Sequence, residues 1–340
     1  ISRGNEILEH ILKEKDKIIS GPEWLYKNIL KDKKVIAVSG THGKTSVTSM
    51  IAHALINNGE NPSYLIAGIP KGFNKSWNLT ESNYFVIEAD EYDTAYFDKK
   101  PKFFHYNPDI LLINNIEFDH ADIYKNIEEI EQNFMELVLG LPKESVIYIN
   151  SSGVRESFLD AIQKNTNIKA QIEVFNAEAE DIYGINRNIT AKGLEGIVSE
   201  SKVRESLKNY KGVKRRYDTI FDNESFRVID DFAHHPTAIK ETLKIAKEEN
   251  GNVTLIVELG SNSMRKGIHD DALIEIFKEN SAYLVSASPE QEKKFGDYAK
   301  PFTENSMKIL LQKSDSKKTI LMCGNKNFEG FQTLILDSLI

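Results

Sequence analysis

The chain has 340 residues, of which 40% are hydrophobic and 28% charged, with a formal net charge of −8. That length asks for two or three domains with sizeable cores, and the composition is that of an ordinary soluble globular protein. The negative balance excludes non-specific nucleic-acid binding, and no apolar run approaches the roughly 20 residues of a membrane span.

The first 32 residues hold a helical pattern at 6–15, an apolar step at 17–20 and a Gly21–Pro22 turn, too little for a domain of its own. Strand-like runs follow at 35–39, 63–66, 84–88, 110–114 and 146–150, with helical patterns between several of them, notably 45–57 and 127–139. Alternation of this kind predicts a mostly parallel sheet with helices on both faces. Residues 165–200 are weaker, with short strand-like pieces and glycines. A second βα series has strand-like runs at 226–229, 253–257, 282–285 and 319–322, and helical patterns at 237–248, 271–278, 306–312 and 328–339. The single cysteine, Cys323, cannot pair internally and reads as a buried structural thiol after the last strand. The domain boundary is expected at KGVKRRYD, 211–218. No secretory leader is recognisable, so the cytoplasm is the expected setting. The expected class is α/β: a parallel-sheet domain carrying a phosphate loop, followed by a Rossmann-like α/β domain.

The chemistry-bearing motifs lie at strand ends. VIAVSGTHGKTSVTSM (35–50) runs from a buried strand through Gly40 and Gly43 into a helix. Free backbone N–H groups and the positive end of the helix dipole make such a corner an anion site. Lys44 would add a mobile charge for β- and γ-phosphates, and Thr45 a hydroxyl for Mg²⁺. The longer phosphate-loop pattern wants a glycine where Val38 stands, so only G-x-x-G-K-T remains. FVIEADEYDTAYFD (85–98) puts Glu88 at a strand end, with Asp90, Glu91 and Asp93 just after it. Ligands of open parallel sheets collect at that edge, and carboxylates beside a phosphate loop suit Mg²⁺. ILLINNIEFDHADIY (110–124) repeats the arrangement with Glu117, Asp119, His120 and Asp122. In the second series, RVIDDFAHHPTAIKETL (227–243) supplies Asp230, Asp231, His234 and His235 ahead of a helix opened by Pro236. Lys214, Arg215 and Arg216 stand at the junction, where an arginine could neutralise a transferring phosphoryl group or simply be surface charge at a hinge.

Taken in order and spacing, GTHGKT, EADEYD, NNIEFDHAD, KRR and DDFAHHPT resemble the Mur ligases of peptidoglycan synthesis. The likeness is dense over 1–150 and 205–270. Within the family it is greatest to the branch that joins a murein tripeptide to UDP-N-acetylmuramate in cell-wall recycling. The resemblance implies ATP and Mg²⁺ as cofactors, and these two small molecules as substrates, with neither nucleic acid nor membrane as partner; the oligomeric state is open. It also implies that the shortened loop, Gly40, Thr41, His42, Gly43, Lys44 and Thr45, binds ATP, and that Thr45, Glu88 and His120 hold Mg²⁺. Arg216 then contacts the ATP phosphate, Asp231 the ribose, and His234 and His235 border the reacting centre. Arg265 and Lys266 are the candidates for a diaminopimelate carboxylate.

The same resemblance exposes departures. It makes 1–32 a remnant of the UDP-sugar-binding domain, 33–212 a central ATP-binding domain shortened near 195–202, and 213–340 the C-terminal ligase domain. No histidine–asparagine helix of the kind that packs by the adenine is visible between 194 and 210. Gly260 replaces an expected arginine, and CGNKNFEGF (323–331) lacks a glycine pair. Two other readings therefore stand beside the tripeptide ligase: a UDP-N-acetylmuramate–L-alanine ligase, and a truncated or decayed member that binds nucleotide without catalysis.

Overall fold

The computed structural model describes residues 4–13, 18–95, 97–119, 123–312 and 316–340. The described residues divide into two units, one running to Phe118 and from Ile123 to Lys211, the other comprising Asp119 and Gly212–Ile340.

The first unit begins with α1 (Glu6–Ile11) and α2 (Gly21–Asn28). Gly21–Pro22 is not a free turn: Ser20 caps the helix by accepting from the Glu23 N–H, and Pro22 sits in the first turn, where its missing N–H costs nothing. The elements that follow are β1 (Lys34–Ser39), α3 (Lys44–Asn57), β2 (Ser63–Leu65), β3 (Trp77–Asn78), β4 (Tyr84–Glu88), β5 (Asp93–Ala95), β6 (Asp98–Pro101) and β7 (Ile110–Ile113). After them come α4 (Ile127–Gly140), β8 (Val146–Asn150), α5 (Glu156–Lys164), β9 (Gln171–Phe175), α6 (Ile182–Gly193) and α7 (Glu200–Lys208). Seven strands form one sheet in the order β3-β2-β4-β1-β7-β8-β9, parallel except for the edge strand β3. The apolar runs are unbroken because both faces are covered. Val35, Ala37, Ile87, Leu111 and Ile147 point to one core with Phe103 and Phe134. Their neighbours Ile36, Val38, Val86 and Leu112 point to the other, against Val47 and Ile51 of α3, Ile189 of α6 and Leu207 of α7.

The weak stretch near 165–200 thus contains the strand β9 and the whole of α6, with α7 opening at its end. Asp181 caps α6 by accepting from the Gly184 N–H at 2.6 Å. Its buried face includes Asn186, Thr190 and Gly193 along with Ile189, so it lacks a clean apolar stripe.

The second unit contains β10 (Asp218–Asp222), β11 (Phe226–Asp231), α8 (Pro236–Glu249), β12 (Val253–Glu258), α9 (Asn262–Arg265), α10 (Asp270–Phe277) and β13 (Ser281–Val285). It ends with α11 (Pro289–Phe295), β14 (Lys300–Pro301), α12 (Glu304–Leu310), β15 (Lys318–Cys323) and α13 (Phe331–Leu339). The sheet order is β10-β11-β15-β12-β13-β14, antiparallel only between β10 and β11. Leu255, Val257 and Leu321 pack under α8 and α10, while Ile256, Ile320 and Met322 face Leu310 and Ile335. Cys323 is buried and free, and burial pushes its thiol well above its ordinary value. Among the described residues no helix is long and apolar enough to cross a membrane.

Candidate functional site

β1 lies at the middle of its sheet, between β4 and β7, so its C-terminal end opens where α/β sheets take ligands. Gly40 leaves β1 at φ +129°, and Gly43 opens α3 from the left-handed region at φ +79°. A Cβ on Gly40 would lie 2.7 Å from the Asn115 carbonyl oxygen, and one on Gly43 would lie 3.0 Å from Asn186 Oδ1. Both glycines are therefore required by close approach as well as by backbone conformation.

The segment after β7 staples the loop from outside. The Thr41 N–H donates to the Asn115 carbonyl at 3.2 Å, and the His42 N–H to Asn115 Oδ1 at 2.8 Å. Asn115 Nδ2 returns a bond to the His42 carbonyl at 3.1 Å. The Glu117 N–H donates to Thr41 Oγ1 at 2.9 Å, and His42 Nε2 lies 3.5 Å from a Glu117 carboxylate oxygen.

Inside this frame the side chain of Lys44 is only 11% exposed, and its ammonium is fully engaged. It donates to the Gly40 carbonyl at 2.6 Å and to Glu91 at 2.8 Å, and Asp90 lies 3.5 Å away. Burial works to lower its pKa, but the carboxylates of Glu91, Asp90 and Glu88 outweigh burial and hold it well above the usual lysine value. Thr45 Oγ1 donates to Glu88 Oε1 at 2.9 Å, while Glu88 Oε2 accepts from the Ala67 N–H. Two oxygens at that separation match adjacent ligands of an octahedral cation with bonds of about 2.0–2.1 Å, so Thr45 and Glu88 fit Mg²⁺. Ser39 Oγ and Asn114 Oδ1 are buried beside the loop without a hydrogen-bond partner among the described residues. His120, expected as a further Mg²⁺ ligand, lies outside the described residues.

In the second unit the expected residues gather near the end of β11. Asp231 is buried, and its two oxygens accept the Tyr217 N–H at 2.5 Å and the Ala233 N–H at 2.7 Å. Burial raises its pKa, against the pull of the Arg216 guanidinium and those two N–H groups. Arg216 stacks on the Phe232 ring at 4.7 Å, and His234 meets the same ring edge-on at 5.3 Å. His234 Nδ1 lies 2.8 Å from the Phe232 carbonyl, which can only accept, so the neutral ring keeps its proton on Nδ1 and Nε2 is the acceptor. His235 precedes α8 and packs edge-on against His269 at 4.6 Å. Arg265 and Lys266 end α9 and are exposed, Arg265 bonding to Asn262 Oδ1 at 2.8 Å.

Comparison with known proteins agrees with this layout. Residues 38–210 match the Mur ligase middle domain, and 215–325 match the Mur ligase, glutamate ligase domain. A Haemophilus influenzae protein named UDP-N-acetylmuramate–L-alanyl-γ-D-glutamyl-meso-2,6-diaminoheptandioate ligase is 32% identical, covering 100% of this chain and 84% of its own length. The chain belongs to the Mur ligase family. As a Mur ligase it is an ATP-dependent amide ligase. The crystal structure of a murein peptide ligase from Psychrobacter arcticus superimposes with a TM-score of 0.72 at 27% identity, covering 100% of this chain and 84% of that one. A UDP-N-acetylmuramate–L-alanine ligase from Clostridium acetobutylicum is 31% identical but covers only 73% of this chain and 59% of its own length.

Sequence reasoning overlooked Asn186. Helix α6 brings this buried side chain against Gly43 of the phosphate loop. This helix ends at Gly193, ahead of the 194–210 stretch in which a histidine–asparagine helix was sought. The helix itself was signalled, by Asp181 as an N-cap and by Ile185 and Ile189 at helical spacing, but its contact with Gly43 was not.

Proposed function

We propose that this Mur ligase joins the free amine of L-alanyl-γ-D-glutamyl-meso-diaminopimelate to the carboxylate of UDP-N-acetylmuramate, with ATP as the activating reagent. The observation that carries the nucleotide half is the glycine loop at the end of β1, with Lys44 buried behind it and Thr45 paired to Glu88. The choice of amine is supported by the likeness, over the whole of this chain and 84% of the relative, to a protein named for that tripeptide.

A carboxylate is a poor acyl donor, so one of its oxygens first attacks the γ-phosphorus, the bond to ADP breaks, and an acyl phosphate forms. The amine then attacks the acyl carbon, and the tetrahedral adduct collapses to amide and inorganic phosphate. Loop N–H groups and Lys44 bind the phosphates, and Lys44 offsets charge that builds during transfer. Mg²⁺, when held by Thr45, Glu88 and His120, supplies further charge neutralisation on phosphate oxygens. In the second unit we assign Arg216 to the ATP phosphate, Asp231 to the ribose, His234 and His235 to the reacting centre, and Arg265 and Lys266 to the diaminopimelate carboxylate. A cytoplasmic setting, where ATP and UDP-sugars are at hand, goes with this reading.

The test is ADP release with Mg-ATP and UDP-N-acetylmuramate, with tripeptide or L-alanine as the amine. Release that depends on tripeptide is expected. Release that depends on L-alanine instead would replace this reading with the L-alanine ligase. No release with either, alongside measurable ATP binding, would leave only nucleotide binding.

A further inference from the structure

Lys44 has three N–H donors, and four protein acceptors surround them. The Gly40 carbonyl and Glu91 take short bonds of 2.6 and 2.8 Å; the Thr41 carbonyl at 3.4 Å and Asp90 Oδ1 at 3.5 Å are loose. An incoming anion must displace one of them. Glu91 is only 1% exposed, so stripping it of its lysine would be costly. Asp90 is 31% exposed and its contact is long, which makes it the exchangeable partner.

The other oxygen of Asp90 is held by a second cation. Lys102 Nζ lies 2.7 Å from Asp90 Oδ2, so one carboxylate bridges two lysines. The fold fixes this arrangement independently of the ion pair. The β5–β6 hairpin turns the chain back, the Lys102 N–H donates to the Tyr92 carbonyl at 3.2 Å, and the Phe103 N–H to the Asp90 carbonyl at 3.3 Å. Phe103 is fully buried against Phe134, which anchors the returning strand. A half-exposed lysine–aspartate pair contributes little to stability, on the order of 0–1 kcal/mol. Stability is thus a weak reason for placing a second cation beside the phosphate loop.

We propose that Lys102 is a second anion-binding cation of the phosphate-loop site, and that the Asp90 carboxylate holds the place of an anionic oxygen of the reactants between Lys102 and Lys44. The ligand is a phosphoryl or carboxylate oxygen; exchange of one anion for another keeps the charge balance of the two lysines. This rests on the ligase reading above.

The test uses the full chain with Lys102→Ala and Lys102→Arg, reading KM and kcat by ADP release with ATP and UDP-N-acetylmuramate varied separately. Lys102→Ala is expected to raise one KM or lower kcat by about tenfold or more, the value of a charge-assisted hydrogen bond. Lys102→Arg should recover most of that loss, and both variants should melt as the wild type does. A raised KM for ATP puts a phosphoryl oxygen between the lysines; a raised KM for the UDP-sugar puts the carboxylate there. Unchanged constants in Lys102→Ala overturn the proposal. Asp90→Asn gives a reading that needs no turnover. ATP titrated in EDTA should bind several-fold more tightly once the competing carboxylate is gone, and unchanged or weaker binding would contradict the stand-in role. Failure of the wild type to ligate would count against the reaction proposed above and leave that titration standing.

Discussion

Lys44→Ala is expected to abolish ligation, lowering kcat by at least about a thousandfold, the scale of losing a preorganised charge in phosphoryl transfer. It should also destabilise the fold, because Glu91 is 1% exposed and loses the ammonium at 2.8 Å. Breaking a buried pair from one side costs about 3–5 kcal/mol. The two effects separate in a double variant. Lys44→Ala with Glu91→Gln should recover much of the melting temperature and none of the activity. A Lys44→Ala variant that releases ADP at the wild-type rate would remove the phosphate-loop assignment.

Gly40→Ala should be nearly as damaging for a different reason. The new Cβ would lie 2.7 and 2.9 Å from the carbonyl oxygen and nitrogen of Asn115, both backbone atoms that cannot swing aside, at φ +129°. Overpacking and an unfavourable φ together cost on the order of 3 kcal/mol. The displaced segment is the one whose Asn115 and Glu117 fix Thr41 and His42. ATP binding should therefore weaken along with melting temperature. Gly59→Ala is the control, since Gly59 also has a positive φ (+89°) but nothing within 4 Å of its Cβ. It should carry the backbone cost alone and leave ATP binding unchanged. Equal effects at the two glycines would mean that close approach to Asn115 is not what Gly40 is for.

Both variants act on features that the sequence displays openly. Val35 to Val38 form a continuous apolar run because the central strand is buried on both faces, and Gly40, Gly43 and Lys44 follow at fixed offsets. The strand ends that carry Glu88 and Asp231 were legible in the same way. What stayed hidden depends on contacts between distant positions. Nothing near Asn186 announces that it will meet Gly43, and α6 mixes buried asparagine, threonine and glycine into its inner face. Lys102 reads as one lysine among several in DKKPK, and only the β5–β6 turn places it on Asp90. The Gly21–Pro22 pair was misleading because the same dipeptide serves a turn or a helix start, and Ser20 decides between them by capping.

The most direct measurement of the account follows an oxygen atom. UDP-N-acetylmuramate carrying ¹⁸O in its carboxylate would be turned over with Mg-ATP and the tripeptide, and the inorganic phosphate analysed by mass spectrometry. Activation through an acyl phosphate predicts one ¹⁸O atom in each phosphate released with each amide formed. Unlabelled phosphate would mean that the γ-phosphoryl group goes to water, and would contradict the function proposed for this site.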